Sequence, residues 1–331
     1  AERQYNKDAK EWEVILTVGK TGEKTSVKAS DIDDVESFAD GYDKIGAAAS
    51  GIDGAERQYN KDAKEWEVIL TDGKTGEKIS VKASDITDVE AFINGYEKAS
   101  EITDAVNGAD KQYNTQTHNW EIQLDGIGNG EKIIMSVADI GDVKDFIDGY
   151  QKVKKAADEI AGASGSYIAG KDGENGSWNL TLPGIGKDSP EIILAVSEIA
   201  DIDQFIQDYK NAYDALKEVK EEGVSVEYIP GVEGAGGTFN LVIKTADGTD
   251  SFIIPLAGIT PDTAKDFIQG CKQAALKLKE VSDGTATVKY DDKKGWLITL
   301  GGKDFSVNDE NIDQIIDDYN TVSEAATDVK N

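Results

Sequence analysis

Residues Ala1–Thr17 read AERQYNKDAKEWEVILT, and residues Ala55–Thr71 read the same, letter for letter. A verbatim internal copy makes the chain a tandem repeat, and the fold has to be read one unit at a time. A third copy, ADKQYNTQTHNWEIQL from Ala109, keeps the frame while drifting in sequence. Later copies are found by anchors. A tyrosine recurs at Tyr5, Tyr59, Tyr113, Tyr167, Tyr228 and Tyr290, and a second aromatic at Trp12, Trp66, Trp120, Trp178, Phe239 and Trp296. A third anchor falls at Phe38, Phe92, Phe146, Phe205, Phe267 and Ile315. Units close on Gly54, Gly108, Gly162, Gly223 and Gly284, which divides the chain into 1–54, 55–108, 109–162, 163–223, 224–284 and 285–331.

Inside a unit the hydrophobic period changes from two to about 3.6, which separates strands from helix. Trp66, Val68 and Leu70 alternate with outward residues, the turn DGKTGE follows, and Ile79 and Val81 continue the alternation. With the short tyrosine-bearing strand before them, these form a three-stranded antiparallel meander with one apolar face. A helix comes next. Its stripe in the third copy is Ile140, Val143, Phe146, Tyr150, Val153, Ala157 and Ile160, and in the fourth Ile199, Ile202, Phe205, Tyr209, Ala212, Leu216 and Val219. Asp31, Asp85, Asp139, Thr260 and Asn308 lie seven residues before the helix aromatic position and are the expected N-caps, with Pro261 a favoured first helical residue. Glu198 stands at that place in the fourth copy, with Ser197 beside it as a substitute. The closing glycines are the expected left-handed C-caps. The fold class is therefore α+β, a tandem array of six βββα units stacked on nearest neighbours.

Lengths argue for the stacking. A helix of about twenty residues is ~30 Å long and a six-residue strand ~20 Å. The half of the helix around its Phe and Tyr is expected to cover its own sheet, and the second half to overhang onto a neighbour. A lone unit of about 54 residues would also bury too little surface to be robust. Solenoids normally end in polar capping repeats. Here the first copy nearly matches the second, and Val322, Ala326 and Val329 leave an apolar stripe on the last helix. Those three residues are the expected self-association end: either further repeats flank the segment or subunits join head to tail.

Chemistry-bearing groups are sparse. His118, the only histidine, falls in the first turn of the third copy, where Lys10 and Lys64 stand in the others, and reads as an exposed turn residue. Cys271, the only cysteine, replaces the helix tyrosine and reads as a small core residue. One cysteine excludes an internal disulfide framework. No phosphate loop and no Cys or His cluster with metal-ligand spacing occurs, so no catalytic, cofactor or metal site is expected. The acidic groups Asp31–Asp34, Asp172–Asn175 and Asp291–Asp292 do not fit a calcium loop. The sequons at Asn175 and Asn179 carry little, and the Tyr and Trp rows read as core rather than as a sugar-stacking platform. The strand order, with YNKDAKEWEV and DGKTGEKISV, resembles small helix-plus-three-strand modules of bacterial secreted proteins; no residue set in it assigns a family or carries over a site.

A net charge of −29 repels phosphate backbones and anionic headgroups, which sets nucleic acid and membrane surfaces aside as partners. Hydrophobic residues make up 39% of the chain, enough for packed cores, so the acidity belongs to a folded surface. No apolar run reaches the ~20 residues that span a bilayer. Scarce Cys and Met suit an oxidising, extracellular setting. The chain opens at Ala1 without an initiator Met or a leader, the mark of a processed protein or an excised piece. The functional expectation is an extracellular or cell-surface structural repeat protein, a fibre, sheath or matrix protomer whose partner is itself. The alternatives are a multivalent adhesin that binds cell envelope or glycans and, third, a virion tail or decoration protein; an enzyme is not expected.

Overall fold

A computed structural model describes the chain except residues 19–22, 129, 171–174, 187–188, 218–222, 232–235, 245–250, 257–258, 260, 292 and 331, and except the side chains at 18, 23, 261, 262, 329 and 330. The first repeat contains β1 (Glu2–Asn6), β2 (Glu11–Val18), β3 (Glu23–Lys28) and α1 (Val35–Gly51). The second contains β4 (Glu56–Asn60), β5 (Glu65–Thr71), β6 (Lys78–Lys82) and α2 (Val89–Ala105). The third contains β7 (Asp110–Asn114), β8 (Asn119–Leu124), β9 (Ile133–Ser136) and α3 (Val143–Glu159). The fourth contains β10 (Ser164–Ile168), β11 (Ser177–Leu182), β12 (Ile192–Ala195) and α4 (Ile202–Leu216). The fifth contains β13 (Val224–Ile229), β14 (Thr238–Lys244), β15 (Ser251–Pro255) and α5 (Pro261–Lys279). The sixth contains β16 (Thr287–Asp291), β17 (Gly295–Leu300), β18 (Lys303–Ser306) and α6 (Ile312–Lys330). Every sheet is a three-stranded meander, its strands hydrogen-bonded in chain order.

The first hairpin of the first, second, third and sixth repeats is set by a local side chain, Asn6, Asn60, Asn114 or Asp291. Asn60 accepts hydrogen bonds from the backbone N–H groups of Asp62 and Ala63, and Lys64 closes the turn with φ +54°. Lys10 and His118 hold the same left-handed place at φ +55°, and in the sixth repeat Gly295 fills it at +74°. His118 is therefore an exposed turn residue, its Nδ1 2.7 Å from the Asp85 carbonyl oxygen. The hairpin register puts Tyr5 opposite Trp12, Tyr59 opposite Trp66 and Tyr113 opposite Trp120.

In the fifth repeat α5 begins at Pro261, as expected; in the other repeats the helix starts three residues later than the capping pattern suggests. Asp34, Asp88, Asp142 and Asp201 are the N-caps, each accepting a backbone N–H two or three residues on, at 2.7 to 3.0 Å. Asp31 and Asp139 instead close 3-10 turns, Ala29–Asp31 and Val137–Asp139. Asp85 ends a turn of its own, its N–H bonded to the Lys82 carbonyl. The residue after each, Ile32, Ile86 or Ile140, precedes the helix; Ile32 and Ile140 are extended, and Ile86 and Ile140 are fully buried. An aspartate three residues before another aspartate satisfies the same capping rule, which is why the pattern alone selects the wrong one. With the true position known, the fourth repeat is no exception, since Asp201 replaces Glu198. In the sixth, Asn311 rather than Asn308 precedes the helix; Thr260 lies outside the described residues. The closing glycines are left-handed, and Gly54 at φ +72°, Gly108 at +80° and Gly162 at +83° sit in the helix-to-strand turn three residues beyond the helix end.

Two compact units divide the chain, Ala1–Lys154 with Ser166–Trp178 and Lys155–Gly165 with Asn179–Asn331. In the first, α1 lies on β4 and β5, and α2 on β7 and β8; in the second, α4 lies on β14, and α5 on β16 and β17. The Phe–Tyr half of the helix, expected on its own sheet, is thus the half that covers the following one. Periodicity marks which face of a helix is apolar and does not say which sheet meets it. A helix touches its own sheet through its tyrosine: Tyr42, Tyr150 and Tyr209 donate to the carbonyls of Thr17, Asp125 and Pro183 at 3.2, 3.4 and 3.0 Å. The second half packs as a row, Ile45–Ala48–Ile52 in α1 and the turn after it, Ala99–Ile102–Val106 in the next repeat, all buried. Gly51 makes room for Ile93 of α2: a Cβ there would stand 2.4 Å from the Ile93 Cδ1.

Candidate functional site at the first sheet and the last helix

The covered sheets define what an uncovered one lacks. At each Trp-bearing joint, the indole lies against a helix glycine three residues after the helix phenylalanine. A Cβ added at Gly41, Gly95, Gly149 or Gly270 would stand 3.2, 2.8, 2.5 or 2.6 Å from the Cδ1 of Trp66, Trp120, Trp178 or Trp296. Most of these are closer than carbon atoms approach, so glycine is the residue that admits the ring. The close approach lets the indole N–H donate to the phenylalanine carbonyl: Trp120 to Phe92 at 3.0 Å, Trp178 to Phe146 at 2.9 Å and Trp296 to Phe267 at 2.8 Å. Trp66 Nε1 has no such partner. Phe, Tyr and Trp rings meet edge-on or tilted at 5.0 to 5.5 Å in the first three joints, the favourable aromatic geometry.

Polar contacts frame the rings. Tyr59 and Tyr113 donate to the carbonyls of Asp31 and Asp85 at 2.7 and 2.9 Å, and burial raises both phenol pKa values. Lys44 and Lys98 donate to the carbonyls of Ala83 and Ile140 at 3.1 and 3.0 Å. A cation on the first strand covers the helix tyrosine: Arg57 lies 4.4 Å from the Tyr42 centroid, and Lys111 5.6 Å from that of Tyr96. Lys111 is buried and pairs with Asp72 at 2.5 Å. That ammonium, with the backbone N–H groups of Thr75 and Lys74, holds the Asp72 carboxyl far below the usual range.

The first sheet carries the same residues with nothing over them. Trp12 is 56% exposed against 1% for Trp66, and Tyr5 is 44% exposed against 6% for Tyr59. The face is nonetheless already in its joint geometry. Tyr5 and Trp12 meet at 5.4 Å and 65°, as Tyr59 and Trp66 meet at 5.2 Å and 62°. A hollow of about 410 Å³ opens there, lined by Arg3, Trp12, Val14, Ala29, Ile32 and Val35. Arg3 holds the place of Arg57.

At the other terminus Val322 is 68% exposed, while its counterparts Ile45, Ala99 and Val153 are 0% exposed. Ala326 is exposed too; the side chain of Val329 lies outside the described residues. The buried row in other repeats aligns with Val322, Ala325 and Val329, so Ala326 flanks that row. A polar cluster holds α6 to the turn after α5. Tyr319 and Ser323 donate to Asp283 at 2.9 and 2.8 Å, and Asn320 donates to the Glu280 carbonyl at 2.7 Å. Hydrogen bonds from the N–H and hydroxyl of Thr285, then from Ser323 and Tyr319, lower the Asp283 pKa to about 2.

The remaining reactive groups are engaged structurally. Cys271 is fully buried against the core, which pushes its thiol up to about 12. Asp34 is a cap, and Asp33 pairs with Lys64 at 2.6 Å; residues 172–174 and 292 of the other acidic groups lie outside the described residues. Among the described residues no group of three or more His, Cys, Asp or Glu is placed to hold a metal ion, and no helix is long and apolar enough to cross a membrane. The glycine that receives each tryptophan escapes a reading of hydrophobic periodicity. Its signal lies in the recurring Phe-x-x-Gly-Tyr at Phe38–Tyr42, Phe92–Tyr96 and Phe146–Tyr150. Comparison with family models, curated proteins and solved structures finds no match to the chain.

Proposed function

We propose that this chain is a structural repeat protein of a fibre, sheath or matrix at or outside the cell surface, and that its function is to join end to end with other βββα units. One observation carries the reading: seventeen identical residues bury Trp66 under a helix and leave Trp12 56% exposed in the same ring geometry. An exposed, preorganised aromatic face rimmed by polar groups is an interaction surface. The simplest joint is head to tail, the first sheet taking the helix of another βββα unit as β4 and β5 take α1. The acidic surface keeps such an assembly hydrated and apart from anionic partners.

The test is a photo-crosslinking side chain at position 12, activated in the producing cell, with the captured peptide sequenced by mass spectrometry. A helix from a βββα unit is the expected product; an unreacted residue 12 in assembled material would sink the reading. A multivalent adhesin is the second reading. It is favoured by Ile134, Ile193 and Ile253, which hold the same outer-face register in three repeats and are all more than half exposed. Weak sites repeated in this way gain avidity. Crosslinks from position 134 to envelope material, with none from position 12, would select it.

A further inference from the structure

The geometry points to a specificity code at these joints: a helix carrying aromatic-x-x-Gly-Tyr is the partner of the first sheet, and α6 of a second copy is not. This rests on the end-joining reading and names the partner of the same surface. Wherever the receiving sheet presents tryptophan, the opposing helix position is glycine: Gly41, Gly95, Gly149 and Gly270. The one exception is coupled. The fifth sheet presents Phe239, and α4 carries Asp208 at that position, near enough for its charge to bear on Tyr228. A six-membered ring leaves the space that an indole fills, so the helix there tolerates a side chain. Trp12 therefore requires glycine.

The last helix fails this requirement at three places. Ile315 replaces the phenylalanine, Asp318 replaces the glycine, and Thr321 replaces the lysine that reaches the next turn in Lys44 and Lys98. Asp318 would drive a carboxylate into the Trp12 ring. The other contacts of the first sheet match an α1-type helix residue by residue. Arg3 would cover its tyrosine as Arg57 covers Tyr42, Tyr5 would donate to the turn before it as Tyr59 does, and the Ala29 carbonyl would receive its lysine as that of Ala83 does. The occupant is thus a helix from another βββα repeat of the Phe-x-x-Gly-Tyr kind.

Two full-chain designs test this. The Ile315→Phe/Asp318→Gly chain should self-associate about 100-fold more tightly than the parent by sedimentation velocity, the scale set by relieving an overpacked contact. Adding Trp12→Asp to that chain should return it to monomers. In the second design, residues 31–54 are duplicated in front of Ala1, which recreates the Gly54–Ala55 junction. That extension should bring acrylamide quenching of Trp12 down to the level of the four buried tryptophans, and the same extension with Gly41→Asp should not. Equal protection by the Gly41→Asp extension, or by an extension made from residues 308–330, would overturn the code while leaving end-joining intact. Protection by none of them would overturn both. Should the double variant misfold by circular dichroism, the extension series decides alone.

Discussion

Trp66 and Trp12 sit in identical stretches of sequence and in opposite environments, one 1% exposed and the other 56%. Their own strands treat them alike: same register partner, same ring angle within a few degrees, same hairpin turn. Only the preceding helix differs, present before Ala55 and absent before Ala1 in this sequence. Burial in a repeat array is thus a property of the joint rather than of the unit, as a nearest-neighbour account of stability requires.

The largest effect should come from the two tryptophans themselves. Trp66→Ala should cost about 3–5 kcal/mol in chemical denaturation, because it empties a packed joint. Trp12→Ala should change the isolated chain by less than about 0.5 kcal/mol. Equal costs would mean that the first sheet is covered after all. Gly95→Asp comes next, at about 2–3 kcal/mol, since its side chain meets Trp120 and adds a charge to an apolar contact. Asp318→Gly on the uncovered helix should stay within about 0.5 kcal/mol, apart from glycine's own helix cost of up to ~1 kcal/mol.

A smaller effect distinguishes joints by their cations. Asp72→Asn should cost about 2 kcal/mol by leaving the buried Lys111 ammonium without its carboxylate. The Asp72 pKa is lower folded than unfolded, so its contribution is complete above the unfolded value of about 4 and is lost as pH falls toward the folded one. Acid titration followed by circular dichroism should show a shallower loss of stability below about pH 4 in Asp72→Asn than in the parent. Parallel curves would show that the pair is solvated. Smallest of all, Val322, Ala326 and Val329 changed together to Asp should leave the melting of the other repeats unaltered. A clear drop would show that this face of α6 is packed.

Much of this architecture is legible from residues alone. Alternation in Trp66–Val68–Leu70 identifies the strand, and the three-four spacing from Val143 to Ile160 identifies the helix, because each period reports one buried face. The partner of that face is not legible, since α1 is equally amphipathic over β2 or β5. The aspartate N-caps escape the pattern for a local reason: Asp31 and Asp34 obey one capping rule, and only the backbone of Ile32 tells them apart. The tryptophan-receiving glycine was hidden because it contributes no hydrophobicity; its effect is the absence of a Cβ.

Because each helix serves the sheet that follows it, the folding module is out of phase with the written repeat. Residues 31–85 carry a helix together with the sheet it covers, whereas residues 1–54 carry a bare sheet and an unoccupied helix. Domain boundaries drawn at Gly54 or Gly108 would cut every core in two. Boundaries drawn in the turns before the helices instead keep each helix with the sheet it covers.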